Sequence, residues 1–300
     1  MTSTSGVSRQ PDYSNGPSAR CISTLIGRRL SPRRVTPLPH MSDIPVVCRR
    51  RVLTDVITRT TPPRLLTLYA PSIYVLNAAA LSKPGAVQHL AADLQSYGAS
   101  VAVITETHLK TKHTDSIVSI NGFTLYRRDR TGRRGGGVAV HVTSELRSSH
   151  WTTSVAANSA LEIDWARVGD RAFVAALYNP PRPTYHPEVL LEYVEACVAE
   201  IAHDYPLADI VLAGDLNQLS DCDVVERTGL TQIVRQPTRG ANILDRVFVS
   251  SPDLHSAVRV VTSVVRSDHK AVVAFADRSH PQPKVAVQRT YRRHTPAQHA

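Results

Sequence analysis

The chain has 300 residues, 42% of them hydrophobic, and a formal net charge of +10. That is enough apolar content for a real core in one large or two small domains. No apolar run approaches the roughly 18 residues of a membrane helix, and the opening M-T-S-T-S-G-V-S-R-Q has no signal-like hydrophobic stretch, so a soluble, intracellular chain with no membrane partner is expected.

The basic excess lies at the two ends. Residues 1–69 hold 11 Lys+Arg against 3 Asp+Glu, residues 70–277 hold 19 against 22, and residues 278–300 hold 5 against none. Ends of this kind bind polyanions weakly or are simply solvated. The four cysteines, Cys21, Cys48, Cys197 and Cys222, show no C-x-x-C spacing, which argues against zinc and against a redox pair.

Residues 1–68 are rich in Ser, Thr, Pro and Arg, without a period of 2 or 3.6, and read as a basic, mostly disordered segment. The Arg- and Ser-rich, acid-poor composition also resembles a transit peptide, but prolines at 32, 37, 39 and 45 oppose the amphipathic helix that such a peptide needs. Order is expected from near Leu68, with one domain over 69–277 and a second basic, disordered tail over 278–300. In chain order, Ile73 to Leu76 reads as a strand and Val87 to Tyr97 as a helix between Pro84-Gly85 and Gly98. Val101 to Thr105 reads as a buried strand, and Phe123 to Tyr126 with Gly137 to Val142 as a strand pair. Leu161 to Val168 and Arg171 to Tyr178 form a hairpin pattern turning at Gly169-Asp170, and Val189 to Ala202 is a helix with Cys197 on its apolar face. Strands follow at 210–213, 244–249, 257–265 and 271–276. Many strands with few long helices predict an α+β fold, two packed sheets flanked by helices.

Polar residues stand where these strands end, which is where rigid scaffolds present functional groups. Asn77 follows Ile73–Leu76, and Glu106 follows Val101–Thr105. The strand D-I-V-L-A ends in G-D-L-N, placing Asp215 and Asn217 together, and Ser267-Asp268-His269 precedes A-V-V-A-F. Each has a bland reading as a cap, an Asx-turn, a solvated acid or a structural histidine. Four such coincidences together point to chemistry.

The order N…E-T…Y-x-P-P…G-D-x-N…L-D…S-D-H resembles the endonuclease/exonuclease/phosphatase superfamily, typified by DNase I and AP endonucleases. The closer resemblance is to the endonuclease domain of non-LTR (LINE-type) retrotransposons. It is carried by L-N-A-A-A-L (76–81), I-T-E-T-H-L (104–109), Y-R-R-D-R-T-G-R-R-G-G-G-V-A-V (126–140), L-Y-N-P-P (177–181), A-G-D-L-N (213–217), L-D-R-V (244–247) and S-D-H (267–269). Ala79-Ala80 stand where that family usually has Arg-Ser, Leu216 where it often has Phe, and Asn179 where it often has Arg.

The resemblance implies a four-layer αββα sandwich with mostly antiparallel sheets, and a Mg²⁺-dependent endonuclease that nicks DNA by in-line attack of water, with Mn²⁺ as a substitute ion. In that reading Glu106 binds the metal and Asn77 helps to place the metal or the phosphate. Tyr178 bonds the scissile phosphate. Asp215 orients or deprotonates the attacking water, and Asn217 holds it. His269 bonds a phosphate oxygen, with Asp268 fixing its tautomer, and Asp245 supports the cluster from behind. Arg127, Arg128, Arg130, Arg133 and Arg134 are expected to grip DNA phosphates. The R-T-Y-R-R run at 289–293 resembles the start of a linker to a reverse transcriptase module, and a nuclear location is implied, with the cytoplasm second. Two alternatives stand beside this: a phosphatase or phosphodiesterase acting on a small or lipid phosphoester, and a silent nucleic-acid-binding remnant.

Overall fold

The computed structural model describes residues 70–156 and 158–277. The two basic ends read from the sequence, 1–68 and 278–300, lie outside the described residues. β1 (Ile73–Asn77), α1 (Ala86–Tyr97) and β2 (Val101–Thr105) form the first unit, followed by the short α2 (Asp115–Val118), β3 (Phe123–Arg128) and β4 (Val138–Thr143). Then come β5 (Ser148–Trp151), β6 (Glu162–Val168), β7 (Ala172–Tyr178), α3 (Pro187–Asp204), β8 (Asp209–Asp215), α4 (Asp221–Thr228) and β9 (Thr231–Gln232). β10 (Asp245–Val249), a 3₁₀ turn at Pro252–Leu254, β11 (His255–Val261) and β12 (Ala271–Ala276) complete the order.

The strands make two six-stranded sheets, ordered β11-β12-β1-β2-β4-β3 and β5-β6-β7-β8-β10-β9. Each sheet is mixed. β1 and β2 are parallel, joined by α1, and β7 and β8 are parallel, joined by α3; the other pairs are antiparallel. Strands buried on both faces need continuous apolar runs, and I-Y-V-L and V-A-V-I supply them. Between the sheets lies a valine-rich core including Val75, Val103, Val140, Val174, Val211, Val247 and Val272. Outside the first sheet, Leu90 and Leu94 of α1 cover Tyr74, Leu76 and Ile104. Outside the second, Leu190, Val194, Cys197 and Ile201 of α3 cover Phe173, Leu177, Ile210, Leu212 and Phe248. Full burial of each large aliphatic side chain contributes about 1.5–3 kcal/mol. The result is the four-layer αββα sandwich.

Several elements differ from expectation. α4 carries its signals, a Ser220 cap accepting from the Asp223 N–H at 3.3 Å and Gly229 at φ 69°. Only Val224 of it is buried, so no apolar stripe announces it. β5 is a polar strand at a sheet edge. The run expected at 257–265 is a strand only to Val261. Beyond it Val265 is buried in a loop that the Asp93 carboxylate of α1 ties down, accepting from Tyr74 Oη at 2.7 Å, Ser263 Oγ at 2.6 Å and the Val264 N–H at 3.2 Å. No helix among the described residues is long and apolar enough to cross a membrane.

Candidate active site

The topology sends the carboxyl ends of β1, β2, β7 and β8 to one edge of the sandwich. β12 and β10 run antiparallel to β1 and β8, so they begin at that edge. Asn77 is the last residue of β1, Glu106 follows β2, and His269 lies two residues before β12. In the second sheet the register aligns Glu162, Tyr178, Asp215 and Asp245 in one cross-strand row. Aligned neighbours point to the same face, so this row delivers three acids and a phenol against the end of the first sheet.

The side chains close on one another. Asn77 Nδ2 donates to Glu106 Oε1 at 3.0 Å and to Asp215 Oδ2 at 2.8 Å, and Tyr178 Oη donates to Glu106 Oε1 at 2.8 Å. His108 Nε2 lies 3.3 Å from Glu106 Oε2. The Asn217 N–H donates to Asp215 Oδ1 at 3.1 Å. His269 Nδ1 meets Asp245 Oδ2 at 2.7 Å, and a ligand atom from each of Asp215, Asp245 and His269 falls within 4.8 Å of the others. Ser267 Oγ donates to the Asn77 carbonyl at 2.6 Å and accepts from the His269 N–H at 3.1 Å, stitching the histidine loop to β1.

Backbone strain concentrates here. Glu106 and Asn217 adopt left-handed φ values of 49° and 45°, conformations that persist only where the surroundings impose them. The glycine of G-D-L-N has a steric cause. Gly214 sits at φ 143°, and a Cβ there would lie 1.9 Å from the Leu177 carbonyl oxygen of the parallel neighbour.

Electrostatics set the carboxyls apart. Burial, reinforced by the nearby Asp245 carboxylate, pushes Asp215 up to about 6. Burial also pushes Glu106 up, but the hydrogen bonds from Asn77, Tyr178 and His108 together outweigh it, and the group titrates below its ordinary value. Burial alone would lower His269; the hydrogen bond and charge of Asp245 reverse that, and the imidazole is raised. Burial and then the Glu106 carboxylate raise the Tyr178 phenol, which stays protonated.

The structure brings together Asn77, Glu106, Tyr178, Asp215, Asn217, Asp245 and His269. It corrects three roles. Asp268, expected to fix the tautomer of His269, points outward with its side chain 58% exposed and pairs with Arg239 at 2.5 Å; Asp245 holds the imidazole instead. Asn77 turns its amide nitrogen to the two carboxylates while its oxygen accepts from the Ala79 N–H at 3.0 Å, so it positions Glu106 rather than offering a ligand atom. The arginines are not one gripping cluster. Arg127 is taken up by Asp115 at 3.1 Å, Asp129 at 3.6 Å and the His113 carbonyl at 2.6 Å. Arg130 is ion-paired to Glu162 and lies 5.5 Å above the Tyr178 ring. Arg133 and Arg134 are exposed and Arg128 is half-buried.

Two supporting residues escaped the sequence reading. Buried Arg246 donates to the Asn217 and Leu219 carbonyls, each at 2.6 Å, and pairs with Asp221 at 2.9 Å. Its signal was a charge inside an apolar strand. Asn179 donates to the Leu216 carbonyl at 3.2 Å, and its own carbonyl accepts from Asn217 Nδ2 at 2.9 Å. Buried in these bonds, Asn179 is unavailable to DNA.

The model of the endonuclease/exonuclease/phosphatase family matches residues 71–269 of this chain. The chain belongs to that family. Its members are hydrolases of phosphodiester bonds. No curated protein shows a sequence match. Among solved structures, the endonuclease domain of TRAS1, a telomere-specific non-LTR retrotransposon, is similar at 17% identity and TM-score 0.53, over 70% of this chain and 100% of that domain. The AP endonuclease LMAP of Leishmania major is similar at 15% identity and TM-score 0.55, over 74% and 92%. The 3′ phosphatase NExo of Neisseria, bound to a product DNA hairpin, is similar at 15% identity and TM-score 0.52, over 69% and 100%. At these identities the likeness establishes the shared sandwich fold.

Proposed function

We propose that this family member is a divalent-metal-dependent endonuclease that nicks DNA. The observation that carries the reading is the set of Asn77, Glu106, Tyr178, Asp215, Asn217 and the Asp245–His269 pair closed into one hydrogen-bonded group at one sandwich edge. The similarity to nucleases acting on DNA supports it, as does the expectation drawn from the retrotransposon-type motifs.

The donor set fits a hard cation. Glu106 is a lowered, partly exposed carboxylate whose oxygens are aimed by three side chains, and Mg²⁺ prefers such oxygen ligands with water filling the rest. Glu106 would hold the ion, and a bound divalent cation supplies neutralisation of charge on the phosphate and leaving oxygen. The protein groups divide the remaining work. Asp215, held at about 6, is poised near neutral pH to take a proton from water. The Asp245 carboxylate accepts from Nδ1–H of His269 and favours the imidazolium, whose Nε2–H is then free to donate to a phosphate oxygen as charge builds. The carboxamide of Asn217, anchored through Asn179, is left with Oδ1 and one N–H to position the attacking water. The phenol of Tyr178 stays protonated and donates to Glu106 Oε1, which aims the carboxylate that would hold the ion.

The test is nicking of supercoiled plasmid by the full chain with Mg²⁺ or with EDTA, beside His269→Ala. Metal-dependent relaxation that falls by about 10²–10³ in the variant is expected. A folded parent protein that leaves plasmid intact, yet hydrolyses a small phosphoester, would overturn the DNA assignment.

A further inference from the structure

We propose that a recess between the β3–β4 hairpin and residues 159–162 is a binding site for one backbone phosphate of the substrate, held by Arg128 and Arg133. The inference rests on the nuclease reading and assigns a substrate contact within it.

The recess is lined by Arg128, Arg130 and Arg133 of the hairpin together with Ser159, Glu162 and Thr184. Its charges sort by partner. Glu162 is satisfied on both oxygens, by Arg130 and by the Gly137 N–H at 2.6 Å. Asp129, also on the wall, is balanced by Arg127. Arg130 is therefore spent on the protein, and its ion pair lies flat on the backbone of Gly136, where any Cβ would collide with both partners. Arg128 and Arg133 are left over. Arg128 is half-buried with no hydrogen-bond or ion-pair partner among the described residues, and Arg133 meets only the Thr184 hydroxyl at 3.4 Å.

A partly desolvated guanidinium without a partner is unfavourable and favours an anion beside it. Two planar forks facing one recess match the tetrahedral oxygens of a phosphate, and the Ser159 and Thr184 hydroxyls add donors. The location suits a strand that crosses the proposed centre. Arg130 forms the recess wall and lies 5.5 Å over the Tyr178 ring, whose hydroxyl bonds Glu106. One side chain thus separates the recess from the reacting edge, and successive phosphates of a strand lie only about 3.4 Å of helix rise apart. The five-arginine run then has a division of labour: Arg127 and Arg130 build the wall, and Arg128 and Arg133 hold the ligand.

The experiment measures binding of a short DNA duplex by the full chain in EDTA, from 50 to 200 mM salt. Arg128→Gln/Arg133→Gln is compared with Arg147→Gln, an exposed arginine beyond the far end of β4. The double variant should bind about ten-fold more weakly at low salt, and the gap should narrow about three-fold by high salt, as loss of one phosphate contact requires. Arg147→Gln should match the parent. Phosphate ethylation should block the parent at one position to which the double variant is indifferent. Arg133→Glu, at an exposed position remote from the core, should reproduce the loss in direction. Parent-like binding by the double variant, or an equal loss from Arg147→Gln, overturns the recess and leaves the nuclease reading untouched. Absence of nicking by the parent overturns that reading instead.

Discussion

Replacing Asp215 by Asn should stabilise the fold while removing activity. A carboxyl held at about 6 in the folded chain, against about 3.9 when unfolded, costs about 3 kcal/mol when ionised. The sign follows from proton linkage: between those two values the folded state binds more protons, so stability falls as pH rises through the window. The cost is absent below about pH 4 and complete above about pH 7. An amide removes it, along with repulsion from Asp245, but turns a donor toward Asn77 and forfeits a bond of about 1 kcal/mol. The net gain is about 1–2 kcal/mol, or about 3–6 °C in Tm for a domain of this size. Thermal unfolding in EDTA at pH 4 and pH 8, with circular dichroism, measures it. Nicking with Mg²⁺ should fall by about 10²–10⁴ in parallel. A variant no more stable than the parent at pH 8, or equally stabilised at pH 4, would refute an electrostatically strained base at this position.

Asp245→Asn should cut nicking by about 10²–10³ through loss of the imidazole's orienting carboxylate, whereas Asp268→Asn should stay within a few-fold of the parent; equal losses would restore the outward acid to the site. Arg246→Ala leaves the Asn217 and Leu219 carbonyls without their donor and should cost about 2–4 kcal/mol in denaturant unfolding, with Arg246→Lys recovering only part of it. Gly214→Ala should fail to reach the folded state, seen as loss of soluble protein, because the new Cβ meets the Leu177 carbonyl rather than a side chain that can move.

The layers were legible because the strands announce themselves. A strand buried on two faces reads as an unbroken apolar run, and each such run stops at a polar residue belonging to the site: Asn77, Glu106, Asp215. What misled was adjacency along the chain. Asp268 stands next to His269 in sequence, yet the two lie in a bend that turns Asp268 outward to Arg239. The acid that reaches the ring comes from β10, 24 residues away, through the packing of one sheet on the other. Alternation along β3 splits the arginine run, sending Arg127 to α2 and Arg128 to the recess. Polar elements such as β5 and α4 were missed for the converse reason: an edge strand and a helix with one buried residue carry too little apolar pattern to be seen.

The site depends on register more than on any single side chain. Leu177, Gly214 and Arg246 make the row beside Tyr178, Asp215 and Asp245, and this row faces the helix layer. A slip of β10 by one residue would exchange the two rows, because side chains alternate with period two. Asp245 would then leave His269, and the Arg246 charge would face the valine core. Arg246 opposes that slip, since its guanidinium grips the Asn217 and Leu219 carbonyls only from the outer face. Gly214 complements it by bringing no side chain of its own to the row between Leu177 and Arg246. The turn that shapes Asn217 and the register that places Asp245 are therefore enforced by one side chain, which couples the geometry of the water-holding group to that of the histidine pair.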